Sequence, residues 1–230
     1  MKIGIIGAMK IEVEKLCSMA ENLKKETVGG IEFSSGTLCG KEVIIAVCGV
    51  GKVFAAMCAQ TMILHYAPDA IINTGVAGAL ASELRVGDIA IAENVVQHDM
   101  DTSPIGDPVG LISGINLVQI PTSPEIYAAL KCSAEKNGMT CISGTIASGD
   151  QFIADKAKKS YIMDNFSAIA CEMEGAAIGQ VCYVNKTPFG ILRAISDNGD
   201  ESAGMSYDKF IGVAVDSSVK ILTDYLENFK

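Results

Sequence analysis

The sequence predicts an α/β protein: a single domain in which a central mixed sheet lies between two layers of helices. Three observations predict it. Short apolar runs of strand length alternate with helical patterns from end to end, the signature of strands joined by crossover helices. Of the 230 residues, 49% are hydrophobic and 20% charged, enough apolar surface for one sizeable core. No linker, low-complexity stretch or internal repeat divides the chain, so residues 1–230 are expected to fold as one unit.

Taken in order, Ile3 to Gly7 is a short apolar run bounded by glycine and reads as the first strand. Residues 9–24 place Val13, Leu16, Cys17, Ala20 and Leu23 on one helical stripe. Ile31 to Leu38 and Glu42 to Val47, separated by Cys39-Gly40-Lys41, read as a hairpin, which makes the sheet mixed. A helix over 51–66 leads to strands at Ala70 to Asn73 and Asp88 to Val96. Residues 97–122, rich in Pro, Gly and Asp, show no period and exceed the usual length of a connection, which marks a functional loop or an interface. Helices follow at 123–137, 155–165, 173–184 and 206–228, alternating with strands at Thr140 to Ala147, Ala168 to Cys171 and Phe189 to Ile195.

With 18 basic against 27 acidic residues the net charge is −9, so there is no electrostatic footprint for nucleic acid or for an anionic membrane. A small solute is the expected partner. The longest uncharged run, Pro108 to Pro124, contains three prolines and two glycines and cannot form a spanning helix, which needs roughly 20 apolar residues. Met1-Lys2 leads straight into the first strand without the regions of a signal peptide, and a cytoplasmic location is expected. The eight cysteines form no CxxC pair, and two histidines stand without metal-ligand spacing; they read as core thiols with no metal site.

In open α/β sheets ligands bind at the carboxyl ends of strands. Five segments there are unusual: Ala8-Met9-Lys10-Ile11-Glu12, Asn73-Thr74-Gly75-Val76-Ala77-Gly78, Ser148-Gly149-Asp150-Gln151-Phe152, Glu172-Met173-Glu174-Gly175 and Ser196-Asp197-Asn198-Gly199. With parallel strands they converge on one end of the sheet. Glu12 falls in a first helical turn beside the core stripe, where a carboxylate either complements the helix dipole or, partly desolvated, serves as a general base. Arg193 sits inside an apolar strand and must be paired, with Glu172 or Glu174 as partner; the pair is a structural ion pair or a grip on a hydroxylated ligand.

Asp197 either initiates a turn or shares a pocket with Arg193, whose alternation parity it has. Two carboxylates across a crevice are what acid/base cleavage of a glycosidic bond requires. Phe152 and Met9 read as core residues or as a stacking and packing surface for a base. Gly4-Ile-Ile-Gly7 lacks the full GxGxxG and Gly49-Val-Gly51-Lys52 lacks Walker spacing, so both read as tight turns, and dinucleotide binding has little support. His98, Asp99 and Asp101 are open to a loop-capping or a site role.

The order and spacing of Ile5-Ile-Gly-Ala-Met-Lys-Ile-Glu-Val-Glu, Gly49-Val-Gly-Lys-Val, Ile72-Asn-Thr-Gly-Val-Ala-Gly, Ser148-Gly-Asp-Gln-Phe-Ile, Glu172-Met-Glu-Gly and Arg193-Ala-Ile-Ser-Asp resemble the methylthioadenosine/S-adenosylhomocysteine nucleosidases. The likeness spans nearly the whole chain. It implies a nucleoside phosphorylase-like fold, a homodimer, no cofactor and hydrolysis of adenine nucleosides in methionine salvage and recycling of S-adenosylmethionine by-products. Substrates implied are methylthioadenosine and S-adenosylhomocysteine, with 5′-deoxyadenosine a further candidate.

By that resemblance Glu12 activates water at the anomeric carbon and Asp197 protonates the purine at N7. Glu174 accepts from the ribose hydroxyls, Met173 packs on the sugar, and Arg193 holds the charged residues in place. Phe152 stacks on adenine while the backbone near Ile153 reads its edge, and Met9 and Val50 line the apolar 5′ side. Val76, Ala77, Gly78, Glu172 and Ser196 complete the expected substrate site. The chain departs from the family at Lys10-Ile11, where acidic residues are usual, at Val76, where Ser is frequent, and at Tyr207, where Phe is frequent. Two other readings are a phosphate-dependent purine nucleoside phosphorylase, which two arginines serve poorly, and a noncatalytic nucleoside sensor.

Overall fold

The computed structural model describes residues 1–200 and 203–229. Strands β1 (Lys2–Gly7), β2 (Glu21–Val28), β3 (Ile31–Leu38), β4 (Lys41–Val47), β5 (Ala70–Ala79), β6 (Ile89–Gln97), β7 (Gln119–Pro121), β8 (Cys141–Ser148), β9 (Ala168–Glu172) and β10 (Phe189–Asp197) form one mixed sheet. Around it pack helices α1 (Lys10–Met19), α2 (Lys52–Tyr66), α3 (Pro124–Lys136), α4 (Lys156–Phe166), α5 (Gly175–Asn185) and α6 (Ala203–Asn228). The α/β class and mixed sheet are those read from the sequence.

The sheet runs β10-β6-β8-β9-β5-β1-β4-β3-β2, and β10 also pairs with β5. The second pairing closes β10, β6, β8, β9 and β5 into a ring, while β1, β4, β3 and β2 extend from it as an open wing. The strands are not all parallel, as convergence at one end would require in a simple open sheet. β1, β4, β5 and β10 are mutually parallel neighbours, whereas β6 pairs antiparallel with β10 and β9 antiparallel with β5. Yet β5 and β9 meet only near their carboxyl ends, Gly78 with Cys171 and Ala79 with Ala170. Strands of both directions therefore deliver their carboxyl ends to one place.

Of three apolar clusters among the described residues, a small one gathers Leu80, Val96, Ile162 and Phe166, and the two larger ones fill the layers. Ile6, Phe33, Ile44, Met62, Ile71, Val95 and Ile191 pack on the α2/α5 side, and Ile5, Leu16, Val43, Ile72, Leu192, Leu222 and Tyr225 on the α1/α3/α6 side. The alternation along β1 and β5 that sends Ile6 and Ile71 one way and Ile5 and Ile72 the other is the period-2 pattern of a strand buried on both faces.

The first helix is shorter than expected from 9–24. It ends at Met19, and Glu21–Val28 is the edge strand β2, paired with β3. Asn22 takes a left-handed φ of 54°, and Leu23 continues in a strand instead of the helical stripe. Lys24, Lys25 and Glu26 are exposed along this edge, which protects a free strand from further pairing. β5 runs to Ala79, six residues beyond the expected end, because β10 pairs with it along its length. Segment 97–122 contains one 3₁₀ turn (Ser103–Ile105) and β7.

Of the eight free thiols, Cys48, Cys58, Cys171 and Cys182 are buried, but Cys132 is exposed and is no core residue. Among the described residues no helix is long and apolar enough to cross a membrane.

Candidate active site

A cavity of about 250 Å³ opens where the strand ends meet. Thirteen of the fourteen residues expected in the site line it: Met9, Glu12, Val50, Val76, Ala77, Gly78, Phe152, Ile153, Glu172, Met173, Glu174, Ser196 and Asp197. Arg193 is the exception. It lies beneath the cavity, 1% exposed, and touches no open surface. The bulge between Ile195 and Asp197 removes the simple alternation that would have put both residues in one pocket.

Glu12 is held by the junction of β1 and α1. It is the third residue of α1, and Met9 precedes the helix, so its carboxylate reaches back to the N–H groups of the two residues just before the helix. Ala8 and Met9 donate to Oε2 at 2.7 and 2.9 Å, and Val76 donates to Oε1 at 3.3 Å. Burial lifts the carboxyl above its ordinary value, and the pull of Arg193 and these three N–H groups does not cancel the lift. A carboxylate so placed is poised to take a proton.

Asp197 ends β10. Gly199 N donates to its Oδ1 at 2.9 Å and the Ser196 hydroxyl to its Oδ2 at 2.8 Å. Burial again raises the carboxyl above its usual range. β5 accommodates both groups with glycines: a Cβ on Gly75 would stand 2.7 Å from Glu12 Oε1, and one on Gly78 would stand 2.8 Å from Asp197 Oδ1.

Glu174 caps α5, and Gly51 N donates to its Oε1 at 2.8 Å. Burial, with the neighbouring Glu172 charge, lifts its carboxyl to about 7. Glu172 moves the other way. Burial would raise it, but the Arg193 guanidinium, the Ser148 hydroxyl and Gly175 N outweigh that and hold it below the carboxylate range. Arg193 Nη2 donates to Glu172 Oε2 at 2.5 Å and also to Asn73 Oδ1, while Ser148 Oγ donates to Glu172 Oε1 and accepts from Ala176 N at 2.7 Å. Of the two partners weighed for Arg193, the structure selects Glu172 for direct contact.

Most of the rest of the wall is apolar, Met9, Val50, Val76, Phe152 and Met173 with Ala8 and Cys171, while Gln151 and Tyr207 add an amide and a hydroxyl. Tyr207 donates to Met9 Sδ at 3.1 Å and stands edge-on to Phe152, ring centroids 5.9 Å apart. Ala8 and Gln151 lie within segments singled out in the sequence, and Cys171 directly precedes one. Asn73 and Ser148 lie in those segments but show no local sign of their contacts with Arg193 and Glu172, since both partners are distant in sequence. Among the described residues no lysine or arginine lines the cavity.

Buried carboxylates gather where the strands of a partly closed mixed sheet end, and the family model described as Phosphorylase superfamily matches residues 2–227, which places the chain in that superfamily. A 5′-methylthioadenosine/S-adenosylhomocysteine nucleosidase from Shewanella pealeana is 42% identical over 228 residues, 99% of each chain. The crystal structure of the nucleosidase of that name from Neisseria meningitidis, in complex with methylthio-immucillin-A, superposes with a TM-score of 0.96 at 35% identity, covering 99% of each chain. A Helicobacter pylori futalosine hydrolase mutant superposes with a TM-score of 0.95 at 35% identity, again over 99% of each chain. The chain belongs to the 5′-methylthioadenosine/S-adenosylhomocysteine nucleosidase family.

Proposed function

We propose that this protein, acting as one domain over residues 1–230 in the cytoplasm, hydrolyses the N-glycosidic bond of 5′-methylthioadenosine and S-adenosylhomocysteine, releasing adenine and the 5-thio-substituted ribose. The observation that carries the reading is the pair of buried carboxylates, Glu12 in the first turn of α1 and Asp197 at the end of β10, in one cavity. Both meet β5 at glycines, Glu12 at Gly75 and Asp197 at Gly78.

Glu12 takes the proton of the attacking water as its oxygen bonds to the anomeric carbon, and Asp197 gives a proton to purine N7 as the C–N bond breaks. The electron pair of that bond leaves with adenine. The sugar passes through a cationic transition state, which the nearby carboxylates stabilise. Glu174 accepts from ribose hydroxyls, Met173 packs on the sugar, Phe152 covers the base and backbone groups beside Ile153 meet its edge. Met9, Val50 and Tyr207 receive the 5′ substituent, whose thioether matches an apolar wall. Arg193 stays below the floor, neutralising Glu172.

Water is favoured over phosphate as nucleophile because the cavity wall carries several carboxyls and no cation among the described residues; a phosphate dianion would be repelled there. The homodimer expected from the resemblance belongs to the same proposal. Val53 is 70% exposed and Val184 60%, with Phe54 and Met57 also exposed on the α2/α5 side, an apolar surface that a second copy would cover. Sedimentation of the protein at assay concentration is expected to give twice the monomer mass.

The decisive experiment is adenine release from methylthioadenosine in phosphate-free buffer, repeated with phosphate and with identification of the sugar. Free methylthioribose at a phosphate-independent rate is the expected result. Sugar 1-phosphate formed only with phosphate would replace this reading by the phosphorylase. Binding without any product would replace it by the sensor.

A further inference from the structure

Outside the cavity wall, Lys52, Asp99 and Asp150 close a ring of hydrogen bonds across three separate segments. Lys52 Nζ donates to Asp99 Oδ1 at 2.6 Å, Asp150 N donates to Asp99 Oδ2 at 3.0 Å, and Lys52 N donates to Asp150 Oδ1 at 2.8 Å. The Lys52 ammonium also donates to Gln97 Oε1 at 3.1 Å, and Gln97 Nε2 passes the connection to Gln180 Oε1 on α5 at 2.6 Å. The Lys52 and Asp99 side chains are only 18% and 17% exposed, so this is a partly desolvated pair with both carboxylate oxygens engaged, unlike a freely solvated surface bridge.

The ring adds a further link between two parts of the cavity, which Ser148 and Gly149 already join through Glu172 and Ala176. On one side, residue 51 immediately precedes Lys52 and gives its N–H to Glu174. A shift of the start of α2 moves that donor and so the carboxylate. On the other side, Asp150 is followed by Gln151, Phe152 and Ile153, which line the cavity. We propose that Lys52 and Asp99 are positioning residues: by clamping the start of α2 to the segment after β8, they fix Glu174 on the sugar side relative to residues 151–153 on the base side. Neither touches the reacting atoms.

The inference rests on the nucleosidase reading, and its test separates the two. Lys52→Met removes the ammonium and keeps the aliphatic stem, whereas Asp99→Asn keeps one acceptor oxygen. Two readouts are taken on each purified protein: the affinity for free adenine, which reports the base side, and the loss of kcat/KM on replacing methylthioadenosine by its 3′-deoxy analogue, which reports the grip of Glu174. A stabilising role alone would lower the melting temperature without moving either.

Expected for Lys52→Met is at least fivefold weaker adenine binding together with a 3′-deoxy penalty reduced at least threefold, while kcat changes less than threefold. Asp99→Asn is expected to shift both in the same direction by less. If Lys52→Met does not fold, Asp99→Asn decides on the same two readouts. Folded variants that retain both values, or shift only one, overturn the inference and leave the function standing. A wild type that neither binds adenine nor cleaves methylthioadenosine overturns the function and the inference together.

Discussion

Gly75 lies directly against Glu12: a Cβ built on the glycine would stand 2.7 Å from the carboxylate oxygen Oε1 and 3.4 Å from Arg193 Nη1. Gly75 is in the middle of β5 with ordinary strand geometry, so the backbone does not require glycine there; the carboxylate does. Gly75→Ala is expected to displace Glu12 from its three N–H donors and lower kcat at least a hundredfold. Because the added methyl meets the end of a side chain, the fold should survive, at a cost of about 1–3 kcal/mol. Steady-state kinetics beside a melting curve checks this, and an alanine variant with unimpaired kcat would show that Glu12 need not be held there.

The Glu172–Arg193 pair predicts a non-additive stability pattern. Both side chains are almost fully buried, at 2% and 1% exposure, so removing one partner strands the other's charge. Arg193→Met and Glu172→Gln are each expected to destabilise by about 3–5 kcal/mol, whereas the double variant should lose less than the sum. Urea unfolding of all four proteins measures the coupling; additive losses would mean that the two charges do not depend on each other.

Glu12 and Asp197 predict opposite effects on the pH profile. Glu12 acts as a base and must be ionised, and its carboxyl is raised by burial, so activity is expected to fall as pH drops through that raised value. Asp197 acts as an acid and must hold a proton, which its own upward shift favours, so activity falls as pH rises through its value. Glu12→Gln should lose at least a thousandfold in kcat. Asp197→Asn should retain substrate binding and lose most turnover, measured by calorimetry beside product formation. Substantial turnover by either variant would remove that residue from the mechanism.

These groups are more legible in the sequence than the scaffold that aims them. Glu12, Glu174 and Asp197 stand at strand ends within short polar segments, a local signal that survives without coordinates. The α/β class follows from the alternation of apolar runs, and α2 through α6 lie within a few residues of their expected bounds. Closure of the ring is not legible, because the two-pair meeting of β5 and β9 depends on twist and not on local pattern. The strand at Glu21–Val28 is masked by Leu23, which fits a helical stripe by spacing and a strand by pairing. That Arg193 must be paired follows from its apolar strand, yet its placement below the cavity turns on a bulge at Ile195–Asp197 that no residue type announces.

Glu174 ties the site to the stability of the whole molecule. Its carboxyl is raised from 4.5 to about 7 by burial first and by the Glu172 charge second, and it is 6% exposed. Between those values the folded protein binds a proton that the unfolded chain has released. Stability therefore declines as pH rises through this window, since the native state binds more protons than the unfolded one. At about 1.4 kcal/mol for each pH unit of that window, the full decline attributable to this group is on the order of 3 kcal/mol. Glu174→Gln removes the titration while keeping an oxygen that can accept from Gly51 N. The variant is expected to match the wild type in melting temperature near pH 5 and to exceed it by several degrees near pH 8, while its grip on the ribose hydroxyls weakens. Melting curves from pH 5 to 8 decide the matter: a constant offset between the two proteins across that range would mean that Glu174 does not carry the buried charge the site imposes on it.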